Sequence, residues 1–188
     1  MKRAFYVMGV PSSGTRLMVR LLIAAGCAGD ATTKDYQRWN TQKPDVDLLV
    51  IRRHLPEAVE PPVWSGKNVI RSLQGMGYVV TVLIMTRDWH CTTASHAKEG
   101  YTDDPVFSRV WMRTLWRQMF QQLPSDVDFE VVSYESLVQR PDTAVPALMA
   151  RLGLDSTAVF EEITDGNEKY FAPPEPEKKP RSKRSKTK

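Results

Sequence analysis

The stretch Ala4–Leu22, AFYVMGVPSSGTRLMVRLL, decides how this chain folds. Ala4 to Met8 form an apolar run of strand length. Gly9, Pro11, Ser12, Ser13 and Gly14 then interrupt regular structure, and a helix is predicted to open at Thr15. Strand, small-residue loop and helix in that order predict an anion-binding loop. The first N–H groups of a helix lack intrahelical partners and carry the positive end of the helix dipole, so a phosphate or sulfate is their natural guest. Gly14 lets the main chain approach the anion, and the hydroxyls of Ser12, Ser13 and Thr15 add donors. The alternative reading is a glycine-rich turn that binds nothing.

Gly9 and Gly14 have the spacing of the nucleotide triphosphatase loop, G-x-x-x-x-G-K-[ST], but Thr15 and Arg16 occupy the places of its Lys and Ser/Thr. What remains is a phosphate cradle without its magnesium ligand.

Further along, Asp47–Ile51 (DLLVI) reads as a second buried strand that stops in Arg52, Arg53, His54, Leu55 and Pro56. In open α/β sheets ligands sit outside the carboxyl ends of the strands, and alternation puts Arg52 and His54 on one side of that edge. Tyr78–Met85 (YVVTVLIM) is the clearest strand, continuous and apolar as a doubly covered parallel strand must be. It ends in Thr86, Arg87 and Asp88. Arg87 at the strand end and Ser95, two turns into the following helix, are placed to meet a second anion; alternatively Arg87 and Asp88 cap that helix. From Val106 to Leu123 a long helix is predicted to bury Phe107, Val110, Trp111, Leu115, Met119 and Leu123. Arg109, Arg113 and Arg117 recur on another face, read as solvated, with a basic rim for an anionic acceptor as the alternative. Asp128–Ser133 is a fourth strand running into Tyr134 and Glu135. Helices are predicted at about 143–152, closed by Gly153, and at about 156–164.

The 188 residues, 41% hydrophobic, suit one domain with a real core. The net charge of +4 is uneven: residues 172–188 carry seven Lys/Arg against two Glu, so the tail is +5 and the other 171 residues are −1. The pI near 9.1 therefore describes the tail and is no argument that the folded body binds nucleic acid. The expected division is an α/β domain over residues 1–171 and a disordered, Pro/Lys/Arg-rich tail over 172–188 that keeps the chain soluble or contacts an anionic polymer. Cys27 and Cys91 are too few for a disulfide scaffold and not spaced as metal ligands. No segment is apolar enough for a membrane span, so a cytoplasmic protein is expected.

Four of these stretches together resemble the sulfotransferases that use 3′-phosphoadenosine 5′-phosphosulfate. Pro11, Ser13, Gly14 and Thr15 are similar to the family's loop P-[KR]-S-G-T-[TS], and Arg52–Pro56 to its K-[TS]-H-L-P. Arg87 and Ser95 match its strand-end Arg followed by Ser eight residues later, and Tyr134, Glu135 and Leu137 its Y-E-D-L. They occur in the family's order and cover residues 4 to 154.

The resemblance implies a three-layer, P-loop-like α/β domain with a parallel sheet of four or five strands. It also implies metal-independent, in-line transfer of a sulfuryl group to a hydroxyl or amine of a small-molecule or glycan acceptor. Ser12, Ser13, Gly14, Thr15 and Arg16 would hold the 5′-phosphosulfate, Arg87 and Ser95 the 3′-phosphate, and Tyr134 the adenine side. His54 would be the general base, Arg52 would neutralise the transferring group, and Arg16 would replace the loop cation that Ser12 lacks. No R-K-G-x-x-G motif follows. The rival expectations are a kinase using ATP and magnesium, and a nucleotide-binding module without turnover.

Overall fold

The computed structural model describes residues 1–29, 46–54, 66–100, 103–158 and 163–171, and for Arg53 and His54 the backbone. The Leu55–Pro56 end of the second motif and the basic tail lie outside the described residues.

Eleven elements are described: β1 (Arg3–Gly9), α1 (Thr15–Ala24), β2 (Leu48–His54), α2 (Gly66–Gly75), β3 (Val79–Thr86), α3 (Trp89–Lys98), α4 (Pro105–Gln122), β4 (Asp128–Ser133), α5 (Tyr134–Gln139), α6 (Pro141–Arg151) and α7 (Glu168–Phe171). The strands form one parallel sheet in the order β2-β1-β3-β4. Four strands among the described residues, with helices on both faces, make the expected three-layer α/β domain.

Alternation along β1 builds both halves of the core. Ala4, Tyr6 and Met8 pack with Leu49, Val82 and Ile84 against α2 and α4, through Ile70, Leu73, Met112 and Leu115. Phe5 and Val7 pack with Val50, Leu83 and Met85 against α1, α5 and α6, through Met18, Leu22, Leu137 and Leu148. A strand covered on both faces must be apolar throughout, which is why β1 and β3 are so plain in the sequence. Truncating Phe5, which is fully buried, to Ala would cost about 3–5 kcal/mol.

This topology positions the site. The chain leaves β1 for α1 on one face, and leaves β3 through α3 to reach α4 on the other, so a crevice opens beyond the adjacent carboxyl ends of β1 and β3. Among the described residues no helix is long and apolar enough to cross a membrane.

Three expectations need correcting. β2 does not stop at Ile51 but pairs with β1 through His54, because the register carries Arg52, Arg53 and His54 opposite Val7, Met8 and Gly9. The buried face of α4 is turned from the predicted one: Phe107 and Val110 are exposed, whereas Ser108 and Met112 are buried beside Leu115 and Met119. A polar residue at 108 hid this face from a hydrophobicity pattern. The helix predicted at 156–164 is absent from the described part of that range. Asp155 accepts from both the N–H and the hydroxyl of Thr157, a local turn that competes with helix.

Candidate functional site

The carboxyl ends of three strands meet here: Gly9 of β1 lies between His54 of β2 and Met85 of β3. From Gly9 the chain turns sharply, with the Ser13 N–H donating to the Val10 carbonyl at 3.1 Å. A Cβ at Gly9 would strike the Ser13 hydroxyl and approach the Met85 carbonyl oxygen to 2.8 Å, so only glycine lets the loop fold back over the strand. Ser12 has φ 65° and Gly14 φ 91°. The left-handed region is unfavourable for a residue with a side chain, by about 1–3 kcal/mol, and persists only where neighbours hold it. Among the described residues no side chain caps α1, and the amides of its first turn have no intrahelical partners.

The neighbours that hold the loop come from α3 and from the end of β3. Arg87 donates through an η nitrogen to the Ser12 carbonyl at 2.7 Å and through Nε to Asn167 Oδ1 at 2.6 Å. Ser95 Oγ donates to Ser12 Oγ at 2.9 Å. His96 Nε2 lies 3.0 Å from the Pro11 carbonyl, and its Nδ1 lies 3.0 Å from Ser108 Oγ. Both His96 and Ser108 are fully buried. Burial pushes the His96 pKa below its ordinary value, against a smaller opposing pull from the Pro11 carbonyl.

A third wall is supplied by residues 163–171. The guanidinium of Arg87 lies 4.6 Å from the ring centre of Tyr134 and 5.6 Å from that of Tyr170. The Tyr134 ring sits against Gly14, where any Cβ would collide with it, and its hydroxyl accepts from the Gly166 N–H at 2.8 Å. Asn167 donates to Glu135, which also accepts from the Asp88 N–H and from Ser133 Oγ. Asp88 caps α3 by accepting from the Cys91 N–H at 3.0 Å, and that bond holds its carboxyl below the usual range. A cavity of about 500 Å³ adjoins Asn167, lined by Asp88, Glu135, Asp165 and Glu168 among others. Its carboxylates make it a poor seat for an anion, so the loop rather than this cavity is the candidate anion site.

Of the residues singled out in the sequence, Ser12, Ser13, Gly14, Thr15, Arg87, Ser95 and Tyr134 are gathered here. Ser13 is fully buried, its hydroxyl without a hydrogen-bond partner among the described residues, and Thr15 is buried at the first position of α1. Arg16 is exposed on the first turn of α1. Arg52 is buried within β2; His54 is placed by its backbone only, opposite Gly9. His96, Gly166 and Asn167 belong to the site and were not picked out in the sequence. The signal for His96 is the spacing 91, 92, 95, 96 of the buried positions of α3, which puts the histidine on the inner face beside Ser95.

No family model and no curated protein sequence matches this chain. Solved structures do. It is similar to mouse sulfotransferase SULT7A1 complexed with PAP, at 13% identity and a TM-score of 0.51 over 82% of this chain and 60% of that one. It is also similar to the sulfotransferase domain of the Synechococcus PCC 7002 olefin synthase, at 13% identity, TM-score 0.50, 82% of this chain and 75% of that domain. A third likeness is to the sulfotransferase domain of the curacin biosynthetic pathway, at 10% identity, TM-score 0.50 and the same coverage. The chain has the fold of these sulfotransferases, and spans 60% of the length of the SULT7A1 chain.

Proposed function

We propose that the chain is a sulfotransferase that takes a sulfuryl group from 3′-phosphoadenosine 5′-phosphosulfate and gives it to a hydroxyl or amine of a small acceptor. The observation that carries this reading is the convergence of Arg87 and Ser95 on Ser12. Two motifs far apart in the chain thereby become one anion-binding surface around a helix N-terminus.

The residues present fit such a donor. The main chain around Gly14 and the first turn of α1 would hold the 5′ end, with Ser13 and Thr15 in the same turn. Arg87 keeps donors beyond the two it spends on Ser12 and Asn167, enough to bind a 3′-phosphate beside Ser95. The Tyr134 ring, wedged between Gly14 and Arg87, would border the nucleoside. When bound, the donor supplies an activated sulfuryl group on a good leaving phosphate. The loop amides would oppose the charge growing on that leaving oxygen, and Arg16 would be the cation near it. His54, next to Gly9 in register, would take the acceptor proton, and Arg52 would act on the same edge. Residues 1–171 would form this domain, with the basic segment 172–188 outside it.

One observation favours a second reading, a nucleotide-binding module without turnover. Ser12 stands where a loop cation would assist the leaving oxygen, and its hydroxyl is bonded to Ser95.

Calorimetric titration with 3′-phosphoadenosine 5′-phosphate, beside ATP with magnesium, tests the proposal. Stoichiometric binding of the bisphosphate that weakens about 10- to 100-fold in Arg87→Ala is expected, the worth of a charge-assisted contact. Binding of ATP with magnesium and not of the bisphosphate would replace this reading by that of a kinase.

A further inference from the structure

An anion-binding loop has a requirement that its open N–H groups do not meet alone. Every carbonyl oxygen in the loop is the negative end of a peptide dipole, and one facing the guest repels it. The carbonyls must be tied back by donors behind the loop. Here Arg87 ties back the Ser12 carbonyl, and the Pro11 carbonyl is met by His96, 85 residues later in the chain.

Which ring nitrogen carries the proton follows from the partners. A carbonyl only accepts, so Nε2 of His96 must be the donor. In a neutral ring Nδ1 is then an acceptor, and the Ser108 hydroxyl, 3.0 Å away, donates to it. Trp111 meets the ring edge-on at 5.8 Å between centroids. The peptide is planar and trans, so holding the Pro11 oxygen toward His96 turns the Ser12 N–H to the opposite side, away from the buried imidazole. The same anchor helps hold Ser12 at its φ of 65°.

We propose that His96 is a positioning residue of the anion loop: its Nε2–H holds the Pro11 carbonyl away from the anion, and Ser108 fixes the tautomer that makes this possible. It touches neither donor nor acceptor and acts through the loop. The proposal rests on the sulfotransferase reading only for the identity of the guest.

Two measurements decide it. Imidazole 15N NMR of the ligand-free wild type is expected to show His96 protonated at Nε2 and bare at Nδ1 at neutral pH. A proton on Nδ1, or a doubly protonated ring, would overturn the proposal without any variant having to fold. The second is a series of cooperatively melting variants, followed by the backbone amide shifts of Ser12–Thr15 and by titration with 3′-phosphoadenosine 5′-phosphate. His96→Gln, whose amide N–H can stand in for Nε2–H, is expected to keep the loop shifts and an affinity within about threefold of wild type. His96→Asn, which reaches only as far as Nδ1, is expected to move those shifts and weaken binding about tenfold, the loss of one buried hydrogen bond. Loop shifts that stay in place in His96→Asn, or a Gln variant no better than Asn, would sink the positioning role. A wild type that binds no bisphosphate would instead remove the sulfotransferase reading, and the shifts would still decide the role of His96.

Discussion

Two arginines, Arg87 and Arg71, are used differently. At the carboxyl end of the sheet Arg87 is half-buried and joins the loop of β1, the ring of Tyr134 and Asn167, partners 75 and 80 residues away in sequence. Arg71 on α2 meets Asp126, exposed like itself, at 2.6 Å and the half-buried Gln74 at 2.8 Å. Arg151 of α6 and Glu130 of β4 form a second such pair at 2.9 Å, with Glu130 half-buried. Water competes for the exposed pairs and salt screens them, so they add little; the half-buried network around Arg87 is partly shielded from both and fixes a geometry. Arg71 and Asp126 dress a surface, whereas Arg87 ties distant segments of the chain together.

The largest effect expected of this contrast is at Gly9. Gly9→Ala drives a methyl into the Ser13 hydroxyl and toward the Met85 carbonyl, both in the interior, and should cost about 3 kcal/mol in a denaturant melt. A melt within 0.5 kcal/mol of wild type, as an order-of-magnitude bound for a surface change, would mean that the loop does not lie back on the strand as described.

A middling effect is expected from pH. The His96 pKa is lowered on folding, so the unfolded chain binds the proton more readily. The stability that this residue contributes is complete above its ordinary pKa of 6.5 and is lost as pH falls below it. Denaturant melts from pH 7 to pH 5 should therefore show a decline that is shallower in His96→Gln. Identical slopes would place His96 in water rather than behind the loop.

The smallest effect is expected at Arg71 and its partner. Arg71→Ala and Asp126→Ala should leave both the melting temperature and nucleotide affinity as in wild type, because each partner remains hydrated without the other. A loss of affinity in either would mean that the two arginines are not independent.

What the sequence disclosed follows the same division. Strand, glycine-rich loop and helix are written in consecutive residues, so the fold around β1 and the tight turn at Ser12–Thr15 could be read directly, as could the places of Arg87 and Ser95 on one strand end and its helix. His96 and Asn167 were not legible, because what gives them meaning is the distant Pro11 carbonyl and the Arg87 guanidinium, brought near only by the parallel sheet. The face of α4 was misread for a related reason. Ser108 is buried for its bond to His96, not for its hydropathy, while Phe107 and Val110 are left in solvent.

The central claim, that the crevice beyond β1 and β3 is a donor site, is tested most directly by a crystal structure with 3′-phosphoadenosine 5′-phosphate. The account predicts the 5′-phosphate on the amides at the start of α1 and the 3′-phosphate against Arg87 and Ser95. A bisphosphate bound elsewhere, or reversed so that its 3′-phosphate fills the loop, would contradict it.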